Sequence, residues 1–111
     1  MSIKVVYIDD EIDLCEIFSE TFESPEINVV TFSDPQKALK EVPALKPDVI
    51  FVDFRLPNIT GDKIAKQLNL SKPVYLITGD LQVAVDFEFK KILQKPVKSL
   101  EIQSILDSLK K

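Results

Sequence analysis

Four short, almost unbroken apolar runs, at residues 3–8, 28–32, 49–52 and 74–77, constrain this chain more than any other feature. They are dominated by Val, Ile, Phe and Tyr, and the central ones barely alternate with polar residues. A strand with one wet face alternates; a strand without alternation is covered on both faces, as in a parallel sheet. A fifth, weaker run is Ile92-Leu93, flanked by Lys90, Lys91 and Gln94. Helical spacing fills the gaps. Leu14, Phe18 and Phe22 share a face, with Asp10 expected as N-cap and Glu11 and Asp13 suited to the positive end of the helix. Asp34-Pro35 reads as an N-cap followed by Pro at the first helical position, leading into Ala38, Leu39 and Val42. Ile64, Ala65 and Leu68 follow Gly61, and Leu100, Ile102, Ile105, Leu106 and Leu109 close the chain. Pro25, Pro43, Pro47 and Pro73 are expected between elements, where a missing N–H costs least. Strand followed by helix, five times over, predicts a three-layer α/β sandwich with a five-stranded parallel sheet and about five helices.

Composition narrows the chemistry. The 111 residues are read as one domain spanning 1–111, with 45% apolar and 29% charged side chains suiting a packed globule. With no His, imidazole catalysis and His-ligated zinc are excluded, and the single Cys15 rules out an internal disulfide and a multi-Cys metal site. Cys15 itself reads as a helix residue near the core. A net charge of −4 gives no support to nucleic-acid or membrane-surface binding. The N-terminal apolar stretch ends at Asp9-Asp10-Glu11, too early for a signal peptide or a membrane span, so a cytoplasmic protein is expected.

Ligands in an open parallel sheet bind at the carboxyl ends of the strands. Those ends carry Asp9, Asp10 and Glu11 after the first run, Asp53 after the third, Thr78-Gly79-Asp80 after the fourth and Lys95-Pro96 after the fifth. Each has an ordinary reading alone, as a helix cap, a turn hydroxyl or a surface lysine. Together they gather several carboxylates at one rim, where mutual repulsion raises their pKa values unless a cation shares the site. Hard oxygen ligands in a small number suit Mg²⁺, which keeps waters and accepts a phosphoryl oxygen.

Tyr7-Ile8-Asp9-Asp10-Glu11, Val52-Asp53-Phe54-Arg55-Leu56-Pro57 with Gly61, Leu76-Ile77-Thr78-Gly79 and Lys95-Pro96 occur in one order over nearly the whole chain. In this the sequence resembles the CheY-like receiver domain of two-component response regulators. The resemblance implies a flavodoxin-like strand order, 2-1-3-4-5. It also implies that Asp53 is the phosphoacceptor. Asp10, Asp53 and the Arg55 backbone carbonyl would bind Mg²⁺ directly, and Asp9 would act through water. Thr78 would hydrogen-bond the phosphoryl group, Lys95 would pair with it, and Pro96 would follow a cis bond. Gly79 would leave room for the incoming group, and Gly61 would open the third helix.

Three features depart from the family pattern. Ile92 stands where receivers usually carry Tyr or Phe. The intervals from Asp53 to Thr78 and from Thr78 to Lys95 are several residues short, so helices 3 and 4 are expected to be trimmed. Leu81, Val83, Val85, Phe87 and Phe89 alternate where helix 4 would lie, as in an extended segment or an exposed apolar face. Arg55 and Asp80 are expected to pair at the mouth of the pocket.

The function these residues imply is a stand-alone receiver without an output domain, phosphorylated by a histidine kinase or a histidine phosphotransfer protein. It would catalyse only its own phosphorylation and dephosphorylation, and would act on an unknown output protein. The alternatives are a degenerate receiver serving as a phosphorylation-independent interaction module, and a phosphatase of the haloacid-dehalogenase type. The latter lacks support, since its aspartates are not adjacent and it needs a cap. Flavin or dinucleotide binding fails for want of a Gly-rich phosphate loop.

Overall fold

In a computed structural model that describes residues 2–110, the apolar runs form one parallel sheet. In chain order the elements are β1 (Ile3–Ile8), α1 (Ile12–Phe22), β2 (Ile27–Phe32), α2 (Pro35–Leu45), β3 (Val49–Asp53), β4 (Arg55–Leu56), β5 (Ile59–Thr60), α3 (Gly61–Leu68), β6 (Val74–Thr78), β7 (Lys91–Gln94) and α4 (Ser99–Leu109). The main sheet has the order β2-β1-β3-β6-β7, every neighbouring pair parallel. With the small β4–β5 hairpin set aside, this is the expected 2-1-3-4-5 order. All residues of β3 and β6 are buried, because α1 and α4 cover one face of the sheet and α2 and α3 the other. The edge strands β2 and β7 carry the polar residues, Asn28, Thr31, Lys91 and Gln94, which made the fifth run the faintest in the sequence.

Periodicity decides which side chains meet. Val5, Tyr7, Phe51, Tyr75 and Leu93 point to the α1/α4 side, where they meet Phe18, Phe22, Ile102 and Leu106. Val6, Ile8, Ile50, Val52 and Leu76 point the other way, onto Ala38 and Val42 of α2 and Ile64, Ala65 and Leu68 of α3. At about 1.5–3 kcal/mol for each buried large aliphatic or aromatic side chain, the two clusters supply most of what opposes chain entropy.

The structure corrects three expectations. There are four helices among the described residues rather than about five: α3 is short, as expected, but residues 80–90 form no helix. Side chains at i and i+2 lie on opposite sides of a helix, so the alternating segment could not bury its apolar residues that way. It runs extended instead, with Val83, Val85, Phe87 and Phe89 packed against the α2/α3-side core and Ala84, Asp86, Glu88 and Lys90 exposed. Leu81 alone stands out, 92% exposed. Second, Pro43 lies inside α2 rather than between elements. It falls in the last turn, so its missing N–H interrupts the helix only two residues before the end at Leu45, where Lys46 turns left-handed with φ 53°. Third, the N-cap of α1 is Glu11, not Asp10. The Glu11 N–H is instead bound by the carboxylate of Asp9, at 3.0 Å. Asp34 caps α2 as expected, accepting the Gln36 N–H at 3.0 Å, with Pro35 at the first helical position.

Candidate functional site

Parallel register brings the strand ends level. Ile8 pairs with Val52, Asp53 with Ile77 and Thr78 with Gln94, so the residues that follow β1 and β7 converge on the ends of β3 and β6. Carboxylate oxygens of Asp9, Asp10 and Asp53 lie within 4.8 Å of one another, Asp9 and Asp53 buried and Asp10 exposed. Lys95 reaches in from the end of β7 with its Nζ 3.0 Å from Asp53 Oδ1, after which the peptide bond to Pro96 is cis, as expected. Thr78 is buried, and its Oγ1 accepts the Asp80 N–H at 3.0 Å. Arg55 pairs with Asp80, 2.8 Å between Nη2 and Oδ2 and 3.4 Å between Nε and Oδ1. The Arg55 backbone lies in the β4–β5 hairpin immediately beyond Asp53. Gln94 Nε2 donates to the Asp80 carbonyl at 2.8 Å, tying the start of the extended segment to β7.

Electrostatics at this rim are one-sided. Burial pushes the Asp53 carboxyl up from the usual carboxylate range; the hydrogen bond and charge of Lys95 oppose this, while the charges of Asp9 and Asp10 add to it. Burial acts to lower Lys95, but the hydrogen bond to Asp53 and the charges of Asp53, Asp9 and Glu11 prevail and raise it. Acid and base thus both hold protons more tightly than they would alone. Three carboxylates against one ammonium leave the cluster short of positive charge, and a divalent cation fits that deficit and the all-oxygen donor set.

Two glycines were singled out in the sequence, and only one is sterically required. A Cβ at Gly61 would overlap the Asp53 carbonyl oxygen and stand 3.0 Å from the carbonyl carbon and 3.1 Å from Leu76 Cδ1. A Cβ at Gly79 would meet only the Lys95 side chain, at 4.0 Å.

Two residues were not assigned roles from sequence. Tyr7 donates its phenol proton to Asp9 Oδ2 at 2.8 Å; burial, the hydrogen bond to Asp9 and the nearby negative charge push its pKa far up. The available signal was its position two residues before Asp9, on the same strand face. Buried Asp62 accepts the Asp86 N–H at 3.0 Å, and Lys66 pairs with the Asp86 carboxylate, so α3 clasps the extended segment at its middle.

Residues 5–107 match the family model of the response regulator receiver domain. The chain belongs to this family. Receiver domains bind Mg²⁺ and, in two-component systems, are phosphorylated by kinases. Among curated relatives, the alkaline phosphatase synthesis transcriptional regulatory protein PhoP of Bacillus subtilis is 34% identical over 96 residues, 84% of this chain and 38% of PhoP. The cyclic di-GMP phosphodiesterase response regulator RpfG of Xanthomonas campestris is 27% identical over 121 residues, 98% of this chain and 32% of RpfG. The receiver therefore spans about a third of the length of these relatives. Its fold is shared with a CheY-like receiver domain from Methylobacillus flagellatus, at a TM-score of 0.85, 22% identity and coverage of 99% and 100% of the two chains. The Thermotoga maritima response regulator TrrA, in complex with Mg²⁺-BeF, superposes at a TM-score of 0.83 with 19% identity, covering 99% and 100%. No helix among the described residues is long and apolar enough to cross a membrane.

Proposed function

We propose that this receiver is a cytoplasmic, Mg²⁺-dependent phosphoryl acceptor at Asp53, a switch that takes its phosphoryl group from a histidine kinase or histidine phosphotransfer protein. The reading rests above all on the contact between Asp53 and Lys95 inside a cluster in which carboxylates outnumber the one ammonium. An Asp53 carboxylate oxygen attacks phosphorus as the bond to the donor's leaving group breaks, and the leaving group departs with that electron pair. Phosphoryl transfer depends chiefly on positioning and on charge at the equatorial oxygens, both of which this site offers. Lys95 is close enough to follow a phosphoryl oxygen. Thr78, whose oxygen already accepts a backbone N–H, has its own proton to donate. Asp10, Asp53 and the Arg55 carbonyl would hold Mg²⁺, with Asp9 contributing through water; the ion supplies charge neutralisation for the phosphoryl oxygens. The receiver turns over no external substrate in this reading, and its output passes to a protein partner.

The test is intact-mass spectrometry after treatment with a small-molecule phosphodonor. One phosphoryl group per chain is expected with Mg²⁺ and none with a chelator. Unmodified protein in the presence of Mg²⁺ would favour a phosphorylation-independent interaction module, to which Ile92 and the helix-free residues 80–90 lend some support. Mg²⁺ alone is expected to stabilise the protein. At a hundred times its Kd a ligand adds about 2.7 kcal/mol, on the order of 10 °C in a domain this small. A melting temperature indifferent to Mg²⁺ would remove the metal from the scheme.

The Arg55–Asp80 pair is expected to slow hydrolysis by narrowing water's access to Asp53. Arg55 is largely exposed, and exposed pairs contribute about 0–1 kcal/mol. Arg55→Ala should thus shorten the life of the phosphorylated form by no more than about fivefold, measured as decay of the phosphoprotein after donor removal. An unchanged decay rate would assign the pair to the surface alone.

A further inference from the structure

We infer that Tyr7 is a positioning residue, whose phenol pins the Asp9 carboxylate and so keeps the cation site selective for Mg²⁺ over larger divalent ions. The inference rests on the metal reading proposed above. Tyr7 and Asp9 share one face of β1 and its continuation. The Tyr7 ring is buried and stacked on Phe18, the centroids 4.1 Å apart and the planes 11° from parallel. From that seat the hydroxyl donates to Asp9 Oδ2 at 2.8 Å, while the Glu11 N–H donates to Oδ1 at 3.0 Å. Asp9 is fully buried, so these two donors stand in for its lost water.

The consequence is geometric. Each Asp9 oxygen has one lone-pair direction committed, and the carboxylate plane cannot turn without giving up both bonds. A carboxylate held in this way is a poor bidentate ligand but a good acceptor for a metal-bound water. Mg²⁺ retains several waters and takes one or two carboxylates, whereas Ca²⁺ takes six to eight oxygens in flexible geometry. Releasing Asp9 would therefore add a direct ligand and tilt the site toward Ca²⁺.

Tyr7→Phe removes the hydroxyl and keeps the stacked ring. Calorimetric titrations of Mg²⁺ and Ca²⁺ into the wild type, Tyr7→Phe, Asp9→Asn and the double variant would test the idea. The ratio of Ca²⁺ to Mg²⁺ affinity is expected to rise about tenfold in Tyr7→Phe, at the lower end of what outer partners of metal ligands control. It should not differ between Asp9→Asn and the double variant, because Tyr7 acts through Asp9. An unchanged ratio, equal weakening of both ions, or a shift that persists without the Asp9 charge would overturn the inference. If Tyr7→Phe alone fails to fold, rescue by Asp9→Asn supports the coupling and failure of rescue refutes it. A wild type that binds neither ion would defeat the metal site itself, a different result from a Mg²⁺-binding wild type whose selectivity ignores Tyr7.

Discussion

Asp53→Asn is expected to abolish phosphoryl incorporation, leaving a single unmodified mass under conditions where the wild type gains one phosphoryl group. The amide is no nucleophile, and the neighbouring carboxylates have other roles: Asp10, whose carboxylate lies within 4.8 Å of that of Asp53, would hold Mg²⁺. Asp9 is buried with both oxygens engaged, and Lys95 is directed at Asp53. The same substitution should raise the melting temperature of the metal-free protein at neutral pH. Burial and two like charges lift the Asp53 carboxyl despite Lys95, so the folded state binds that proton more tightly than the unfolded chain does. Stability then falls as pH climbs from the ordinary carboxylate range through the raised folded value, since ionisation costs more in the folded state. The gap between variant and wild type should be widest near neutrality and should close on acidification into the ordinary carboxylate range. Lys95, about one-third exposed, can hydrogen-bond the new amide oxygen and remain near Asp9, so the loss of its partner does not strand a buried charge. A variant that melts below the wild type at neutral pH would mean that the ion pair outweighs the burial of the carboxylate.

The parts of the fold that can be read from sequence are those where one physical constraint acts alone. β1, β3 and β6 are legible because burial on both faces confines polar residues to Lys4 near the start of β1 and to Asp53 and Thr78 at the ends of β3 and β6. The site follows from them, since Asp9, Asp53, Thr78 and Lys95 each stand where an apolar run stops, and parallel register then brings those stops together. Residues 80–90 show two signals in competition. Family resemblance implies a helix, while the alternation of Val83, Val85, Phe87 and Phe89 implies an extended chain, and the alternation prevails because it reports burial directly. What that segment packs on was not legible, because its clasp depends on Asp62 and Lys66 of α3, distant in sequence from Asp86. The β4–β5 hairpin is two residues long on each side, too short for periodicity, and only Pro57-Asn58, with Asn58 at φ 65°, marks the turn. Sequence alone favours Asp10 as a cap because capping residues and metal-site carboxylates are the same residue types; only the geometry shows that Glu11 is the N-cap and that the Asp9 carboxylate accepts its N–H.

Gly61→Ala is expected to destabilise the protein by about 3 kcal/mol, the upper end of overpacking costs, and to lower the melting temperature by on the order of 10 °C. The cause is a close approach rather than an unusual backbone conformation. The start of α3 lies directly on the carbonyl group of Asp53, and the Gly61 N–H is bound at 2.8 Å to the Phe54 carbonyl, so helix and strand end are fixed face to face. An added methyl would collide with backbone atoms that have no rotamer to yield and with Leu76 Cδ1, which is locked in the core. Relief requires α3 to move away from β3, and that movement either displaces Asp53 from Lys95 or opens the packing of Ile64 and Ala65. Activity should therefore fall together with stability. Phosphoryl uptake measured well below the variant's melting temperature is expected to be slower than that of the wild type, because the nucleophile is misplaced even where the chain is folded. Gly79→Ala is the matched control: its new Cβ meets the Lys95 side chain only at ordinary contact distance, so it should cost the fold far less. Equal melting temperatures for the two variants would show that α3 can shift freely at its first turn, and that Asp53 is positioned by β3 alone.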